Sequence, residues 1–538
     1  MRTSPTGAAP RRTIAPMAAT DGRTRLTEAL AAISLTTDLA TGEGFEKGLR
    51  ECAVASALAD ALGLPAAEQR TAHVAALLRS VGCTSHAVEN GAAFGDDVAF
   101  EAVLHVLDPG DPAVFAAQMA GFGAWAAPER RPALARHFAE VAPATGPQAA
   151  RAGCEASTAV CVRLGLGDAV ARALAEVYER WDGLGIPDAL AGEAISLPGR
   201  IVHLAEQAVL AHARGGRPAA LAEVARRAGG QLDPALAAAF AEHAGAALAP
   251  LDAPDPLAEA LAREPPPHRR LAAGELERLA FALAAVADLK GAWLTGHSPA
   301  VARLADAAAG LAGLGERERA DLRVAALLHD IGRAGVPSSV WDRPGPIGPA
   351  DAERVRLHPY WTGRVLERVP ALAGLAPVAA AHHERLDGSG YHRGTRGGDL
   401  PFPARLLAAA DVLQASCEPR PHRPALTLGE AARAVEQEAR DGQLDPDAVG
   451  AVVEAAGLPR PRAAWPAGLS TREVEVLRLA ARGLPNKAIA AELVVSARTV
   501  QHHLASVYDK TGRRTRGGAA MFAAEHGLLP PPPGGRAA

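Results

Sequence analysis

The stretch Ala326-Leu327-Leu328-His329-Asp330-Ile331-Gly332 sets two polar side chains at the end of an apolar, helix-patterned run. On the inner face of a helix such groups cost several kcal/mol unless something satisfies them. A metal does so, because neutral imidazole and carboxylate together suit Fe, Mn or Zn. Working outward, His297 lies before this pair, and His358, the adjacent His382-His383 and Asp411 lie after it. Each falls in a helix-patterned segment, and most of the intervening chain is Ala/Leu-rich. Seven ligands are too many for one tetrahedral ion, but they suit two ions that share a bridging carboxylate. Neighbouring residues of a helix diverge by about 100°, so His382-His383 can serve two ions side by side. Asp330 can then bridge while His329 holds one of them. Two ions about 3.5–4 Å apart can clamp the attacking and leaving oxygens of an in-line displacement. This is a two-metal hydrolase layout. Strand signals are sparse, so the expected fold class is all-α.

The order of these ligands and their flanking residues resemble the HD-GYP family of cyclic-dinucleotide phosphodiesterases. The resemblance covers residues 275–455. The family's HDIGK reads here as His329-Asp330-Ile331-Gly332-Arg333, followed by Val336-Pro337. Its HHE-x-x-DG-x-GYP reads as His382-His383-Glu384, Asp387-Gly388 and Gly390-Tyr391-His392. A GHS triplet, Gly296-His297-Ser298, supplies the first ligand, Asp411 matches the late aspartate, and RPYR appears as Arg420-Pro421-His422-Arg423. The resemblance implies two divalent ions, Fe or Mn with Zn as the further option. They would be held by His297, His329, Asp330, His358, His382, His383 and Asp411. Asp330 and Arg333 are then the catalytic candidates, Arg333 neutralising the phosphoryl oxygens. Tyr391 is expected to stack on or border a base, and Arg420 and Arg423 to meet a second phosphate or a guanine edge.

Three departures stand out. The Pro of GYP is His392, which frees φ and adds a candidate ligand or base. The lysine of HDIGK is Arg333, a planar fork rather than a point charge. Trp293 stands where some members place a glutamate for a third metal, so two ions are expected.

The chain also repeats itself. Residues 179–187 (Glu-Arg-Trp-Asp-Gly-Leu-Gly-Ile-Pro) mirror 384–392 at an offset of 205, and Pro198, Arg200 and Gly192 match Pro403, Arg405 and Gly397. Gly230-Gln231-Leu232-Asp233-Pro234 returns as Gly442-Gln443-Leu444-Asp445-Pro446. The ligands do not return: Val177-Tyr178 stand for His382-His383, Gly153 for His358 and Glu206 for Asp411. By pattern Arg79-Ser80 replaces His329-Asp330, and near the first ligand there is Leu49-Arg50. Such a copy cannot hold a metal pair, and it is expected to be a scaffold that serves dimerisation, ligand sensing or packing.

A second motif fills residues 469–529. Leu469-Ser470-Thr471-Arg472-Glu473 opens with a capping box. Helix patterns follow through Val474, Leu477 and Ala480, then Ile489 and Ala490, then Val500, Leu504 and Val507. A short helix, a turn and a longer helix make a helix-turn-helix. The segment resembles the LuxR-type (GerE-like) DNA-binding domain through Leu-Ser-x-Arg-Glu, Asn486-Lys487-x-Ile489-Ala490, Ser496-x-Arg498-Thr499-Val500 and His526-Gly527-Leu528. The family's usual Lys after Thr-Val is Gln501, a group suited to adenine. Nine Lys/Arg against five Asp/Glu make this segment basic in a chain of net charge −4, as phosphate neutralisation needs. The candidate DNA contacts are Lys487, Arg498, Thr499, Gln501, His502, Lys510 and Arg516.

With 538 residues and 49% hydrophobic content, the chain can build several cores. The expected division is a tail at 1–25, a degenerate helical copy at 26–248 and a Pro-rich linker at 249–270. The phosphohydrolase copy at 271–456, a linker at 457–468, the DNA-binding head at 469–529 and a tail at 530–538 follow. Five cysteines without paired spacing suggest reduced thiols, and no signal peptide or membrane span is evident, so a cytoplasmic regulator is expected. It would act as a homodimer on double-stranded DNA, under control of a nucleotide phosphodiester. The rival expectation is a non-catalytic sensor whose metal site only binds.

Overall fold

The computed structural model describes residues 24–460, 465–493, 495–526 and 528–529. Every regular element among them is helical, and the β-bridges are isolated. The fold is all-α, as the composition predicts. Helix starts are fixed locally: Asp96, Asp111, Asp233, Asp255 and Asp445 each accept a hydrogen bond from a first-turn backbone N–H, which satisfies donors the helix cannot.

The two copies are built alike. Helices Lys47–Ala61 and Ala66–Leu78, the 3-10 turn Arg79–His86 and helix Leu197–Arg227 in the first correspond to His297–Leu311, Glu316–Leu328, Ile331–Gly335 and Phe402–Ser416 in the second. The repeat persists at the level of single bonds. Glu179 accepts from the backbone N–H of Asp188 and Leu190, and Glu384 from those of Arg393 and Thr395. Arg200 pairs with Asp233 at 2.6 Å, and Arg405 with Asp445 at 2.9 Å. A Cβ on Gly82 would lie 2.5 Å from the Gly153 carbonyl, and one on Gly332 would lie 2.0 Å from that of His358. That paired close approach supports matching Arg79 to His329 and Gly153 to His358.

The copies do not sit apart on a string. Leu26–Thr41 packs on the 3-10 turns of both copies, and so does Ala273–Asp288. One apolar cluster runs from Leu26 to Val453. Its continuity corrects the linker expected at 249–270. Leu251, Leu257 and Ala260 are buried in it, Pro250 is buried beside them, and helix Pro256–Ala262 lies on Lys47–Ala61. Asp255-Pro256 is a helix start, with Asp at the cap and Pro at the first position, and the density of prolines disguised it. The expected tail is likewise shorter, since Leu26 N–H donates to Arg269 O and Leu271 N–H to Thr24 O. Residues 1–23, 461–464 and 530–538 of the expected tails and linker lie outside the described residues.

The C-terminal segment has its own two small cores around helices Thr471–Ala481, Asn486–Glu492, Ala497–Thr511 and Arg516–Glu525. Ser470 and Glu473 form the expected capping box, and Ser496 caps the third helix through Thr499 N–H. Pro485 precedes the second. Trp465, assigned to the linker, is buried in this core under the Arg478 guanidinium, 5.2 Å from its ring centroid. Among the described residues no helix is long and apolar enough to cross a membrane.

Candidate metal centre

Helix termini deliver the ligands. His297 opens His297–Leu311, His329 caps Glu316–Leu328, His358 opens His358–Arg368, and His382-His383 follow Ala376–Ala379. Asp411 projects from the middle of Phe402–Ser416. Three of the rings are aimed by the same device. Nδ1 of His329, His358 and His382 donates to the carbonyl three residues back, at 2.6, 2.6 and 2.7 Å. That leaves Nε2 of each with its lone pair facing inward.

All seven predicted ligands converge. His297, His329 and Asp330 form one group and His358, His382 and His383 another, the ligand atoms of each lying within 4.8 Å of one another. Asp330 spans the two. Its Oδ2 is 3.0 Å from His329 Nε2 and 3.5 Å from His297 Nε2, while its Oδ1 is 3.3 Å from both His358 and His382 Nε2. Asp411 spans them in parallel, with Oδ1 3.2 Å from His297 Nε2 and Oδ2 4.0 Å from His383 Nδ1.

The residues fit a pair of cations. Asp330 Oδ1 and His329 Nε2 are buried and lack a hydrogen-bond partner, and Asp330 Oδ2 is met by the Arg333 ion pair without an aligned hydrogen bond, a cost that ions between the two groups remove. Burial keeps His358, His382 and His383 neutral, with His382 lowered to about 4. Burial alone would raise Asp330 and Asp411. Arg333 and His329 nonetheless hold the first well below the ordinary carboxylate range, and the His297 hydrogen bond with the facing imidazoles holds the second there. His297 goes the other way: against burial, its hydrogen bonds with Asp411 and Glu418 raise it to about 9, so it gives up a proton when an ion binds. Neutral imidazoles around ionised carboxylates are then the donor set that Fe, Mn or Zn takes.

Arg333 is nearly buried, with Nη1 2.9 Å from Asp330 Oδ2 and its guanidinium 5.1 Å from the Trp341 ring centroid. Tyr391 stacks on His383 with centroids 4.8 Å apart and lies under Arg356. Arg420 pairs with Glu418 at 2.8 Å and donates to the Trp293 carbonyl. Arg423 spends its fork on the Ala415, Ser416 and Glu418 carbonyls, which places it as a cap on Phe402–Ser416 rather than facing the ligands. His392 belongs to neither ligand group; its ring faces Tyr360 and Arg393.

Two residues outside the ligand pattern hold the centre in place. Glu418 Oε2 is 2.9 Å from His297 Nδ1. Thr362 bridges, donating to the His329 carbonyl at 2.8 Å and accepting from Gly332 N–H at 3.0 Å. Their only signal in the sequence was proximity to the RPYR-like segment for Glu418, and none for Thr362.

In the first copy the corresponding space is filled by fixed charge. Glu206 pairs with Arg79, accepts from His105 Nδ1 at 2.7 Å and lies 3.9 Å from Lys47 Nζ. Lys47 also meets Glu43 and Glu51 at 2.5 and 3.2 Å. Side-chain cations thus neutralise the carboxylates where the second copy offers imidazoles.

In the C-terminal segment Lys487, Arg498, Gln501 and His502 are exposed and Thr499 is half-buried. Lys510 is paired with Glu473 at 2.7 Å, and Arg516 donates to the Leu484 carbonyl at 2.5 Å.

Fold and centre together define a metal-dependent phosphohydrolase of the HD type joined to a helix-turn-helix segment. The HD domain family matches residues 151–236 and 282–448, taking in both copies, and the family of bacterial regulatory proteins of the luxR type matches 467–523. The chain is 32% identical over 309 residues to 3'3'-cGAMP-specific phosphodiesterase 3 of Vibrio cholerae, covering 57% of this chain and 67% of that protein. A cyclic di-GMP phosphodiesterase of Thermotoga maritima is 35% identical over 142 residues, 26% of this chain and 39% of that one. The crystal structure of a cyclic GMP-AMP specific phosphodiesterase of V. cholerae superposes with a TM-score of 0.57 at 25% identity, covering 81% of this chain and 98% of that chain. The chain belongs to the HD-GYP family, and it carries a luxR-type helix-turn-helix segment at its C-terminal end.

Proposed function

We propose that the second copy hydrolyses a phosphodiester bond of a cyclic dinucleotide, and that the C-terminal head binds double-stranded DNA under its control. The observation that carries the first half is Asp330, whose two buried oxygens each face a separate histidine group. His297 and His329 with one oxygen, and His358, His382 and His383 with the other, would hold two ions, and Asp411 would span both. When bound, such a pair supplies a nucleophile at neutral pH and stabilises the attacking and leaving oxygens of an in-line displacement. Arg333, already beside Asp330, would take charge on the phosphoryl oxygens. Tyr391, on the His383 side, is placed to border the base. Arg420, held by Glu418 and the Trp293 carbonyl, is the remaining candidate for the second phosphate, whereas Arg423 supports the loop.

The relatives named above act on 3'3'-cGAMP and cyclic di-GMP, so both are the first substrates to assay. For DNA, the exposed Lys487, Arg498, Gln501 and His502 line the outer side of the recognition segment. Two heads in a homodimer would read half-sites about 34–36 Å apart. The test is turnover of cyclic di-GMP, 3'3'-cGAMP and pGpG by the purified full chain loaded with Mn or Fe. Hydrolysis that disappears in Asp330→Ala, with helical content retained, is the expected result. Two bound metals per chain with no turnover of any cyclic dinucleotide would leave a sensor instead.

A further inference from the structure

The first copy contains a second cluster of ligand-type side chains, beside its fixed charges and joined to them through His105. Cys83 Sγ, Glu101 and His105 place one ligand atom each within 4.8 Å of one another. His105 Nε2 is 3.8 Å from Cys83 Sγ and 3.9 Å from Glu101 Oε2. A tetrahedral zinc ion, with bonds of about 2.0–2.3 Å, needs donors about 3.3–3.6 Å apart. The two spacings from His105 Nε2 are therefore within a few tenths of an ångström of that range, and the Cys83–Glu101 spacing, within 4.8 Å, closes by a side-chain movement of up to about an ångström.

The surroundings are arranged as those of a ligand set. His105 Nδ1 faces Glu206 Oε1 at 2.7 Å, which turns Nε2 toward the cluster. Asn90 Nδ2 donates to Glu101 Oε1 at 3.0 Å, which leaves Oε2 directed inward. Partners of this kind orient ligands in metal sites. The Tyr178 hydroxyl, 3.7 Å from Cys83 Sγ, closes a further side. Glu43, Glu51 and Glu206 already outnumber Lys47 and Arg79 by one charge, so a Glu101 carboxylate and a Cys83 thiolate are left for a divalent ion to neutralise.

The repeat shows where the cluster came from. Cys83 stands at the position of Arg333, and Tyr178 at that of His383. Glu101 and His105 lie in and just after helix Asp97–Leu104, between the turn Arg79–His86 and helix Arg131–Leu164, where the second copy has only the short helices Ser338–Trp341 and Pro349–Arg356.

The geometry points to a mononuclear metal site of the zinc class in the degenerate copy, with Cys83 thiolate, His105 Nε2 and Glu101 carboxylate as its ligands. Binding forms the metal–sulfur bond and releases the thiol proton, together with the Nε2 proton of a charged His105, to solvent, with no change of oxidation state. The site is wired to the other copy. One turn before Glu101 on the same helix, Asp97 pairs with the fully buried Lys290 and accepts from Ser338 N–H at 2.6 Å. Ser338 opens the short helix that ends at Trp341, the residue stacked on Arg333.

The test uses the full chain carrying Asp330→Ala, reduced and titrated with Co2+. The seven ligands of the second copy are nitrogen and oxygen donors, so a thiolate-to-cobalt charge-transfer band reports the new site alone, whatever becomes of the dinuclear one. We expect one such cobalt per chain, with the band lost in Cys83→Ser and retained when Cys52, Cys154, Cys161 and Cys417 are all changed to Ser. Glu101→Gln, which keeps the side-chain volume, should weaken cobalt binding at least tenfold. No band in the Asp330→Ala chain, a band that survives Cys83→Ser, or unchanged affinity in Glu101→Gln overturns the assignment.

Discussion

At the scale of single residues, Glu418 shows what a ligand pattern leaves out. The seven candidate ligands were legible because polar side chains interrupt apolar helical runs in a recurring order. Glu418 interrupts nothing, and its partner His297 lies 121 residues away. It nevertheless fixes that ring and takes Gln414 and Arg420 on its other contacts. Replacing it with Gln should lower metal affinity about 10–100-fold, the usual effect of removing such a partner, with helical content unchanged. Metal content of Glu418→Gln after dialysis against a graded chelator reads this directly, and retention equal to the parent chain would refute it. Arg423 and Arg516 err the other way. Both look like phosphate contacts in the sequence, and both donate to backbone carbonyls, because an arginine near a helix end is as useful to orphan carbonyls as to an anion.

At the scale of elements, the turn after each HD-type position is legible from its glycine. Gly332 lets the turn Ile331–Gly335 approach helix His358–Arg368 so closely that a Cβ would overlap the His358 carbonyl and press on Thr362 N. Gly332→Ala should cost about 2–3 kcal/mol and also displace His358, so bound metal should fall with stability. Gly82→Ala, the same change against Gly153, should cost stability but leave the metal of the second copy in place. Urea midpoints and metal analysis of the two variants separate these effects, and full metal retention in Gly332→Ala would show that His358 is not set by that contact. The helix starts of the C-terminal segment were readable from Ser470 and Ser496 for the same local reason. The 249–270 segment was misread because its burial is decided by Lys47–Ala61, far away in the chain.

At the scale of the whole molecule, the duplication was visible in the sequence but the shared core was not, since apolar residues carry no label for the copy they will pack against. His73 lies within that core, with its Nδ1 2.9 Å from Ser56 Oγ and its ring beside Cys52. Burial, with His268 adding to it, lowers His73 to about 4 from an ordinary 6.5. Between those values the unfolded chain binds the proton and the folded chain does not, so this contribution is complete above pH 6.5 and is lost as pH falls toward 4. It amounts to about 3 kcal/mol. The stability advantage of the parent chain over His73→Gln should therefore shrink as pH drops from 7 to 4.5, as measured by urea midpoints. An advantage that stays constant over that interval would mean the imidazole is not buried neutral.

The common interior from Leu26 to Val453 also bears on descent. Two duplicated halves that shed separate surfaces to build one interior can no longer be parted by recombination without exposing both. The first half is then tied to the second through its apolar face, and side chains away from that seam are freer to change than those within it.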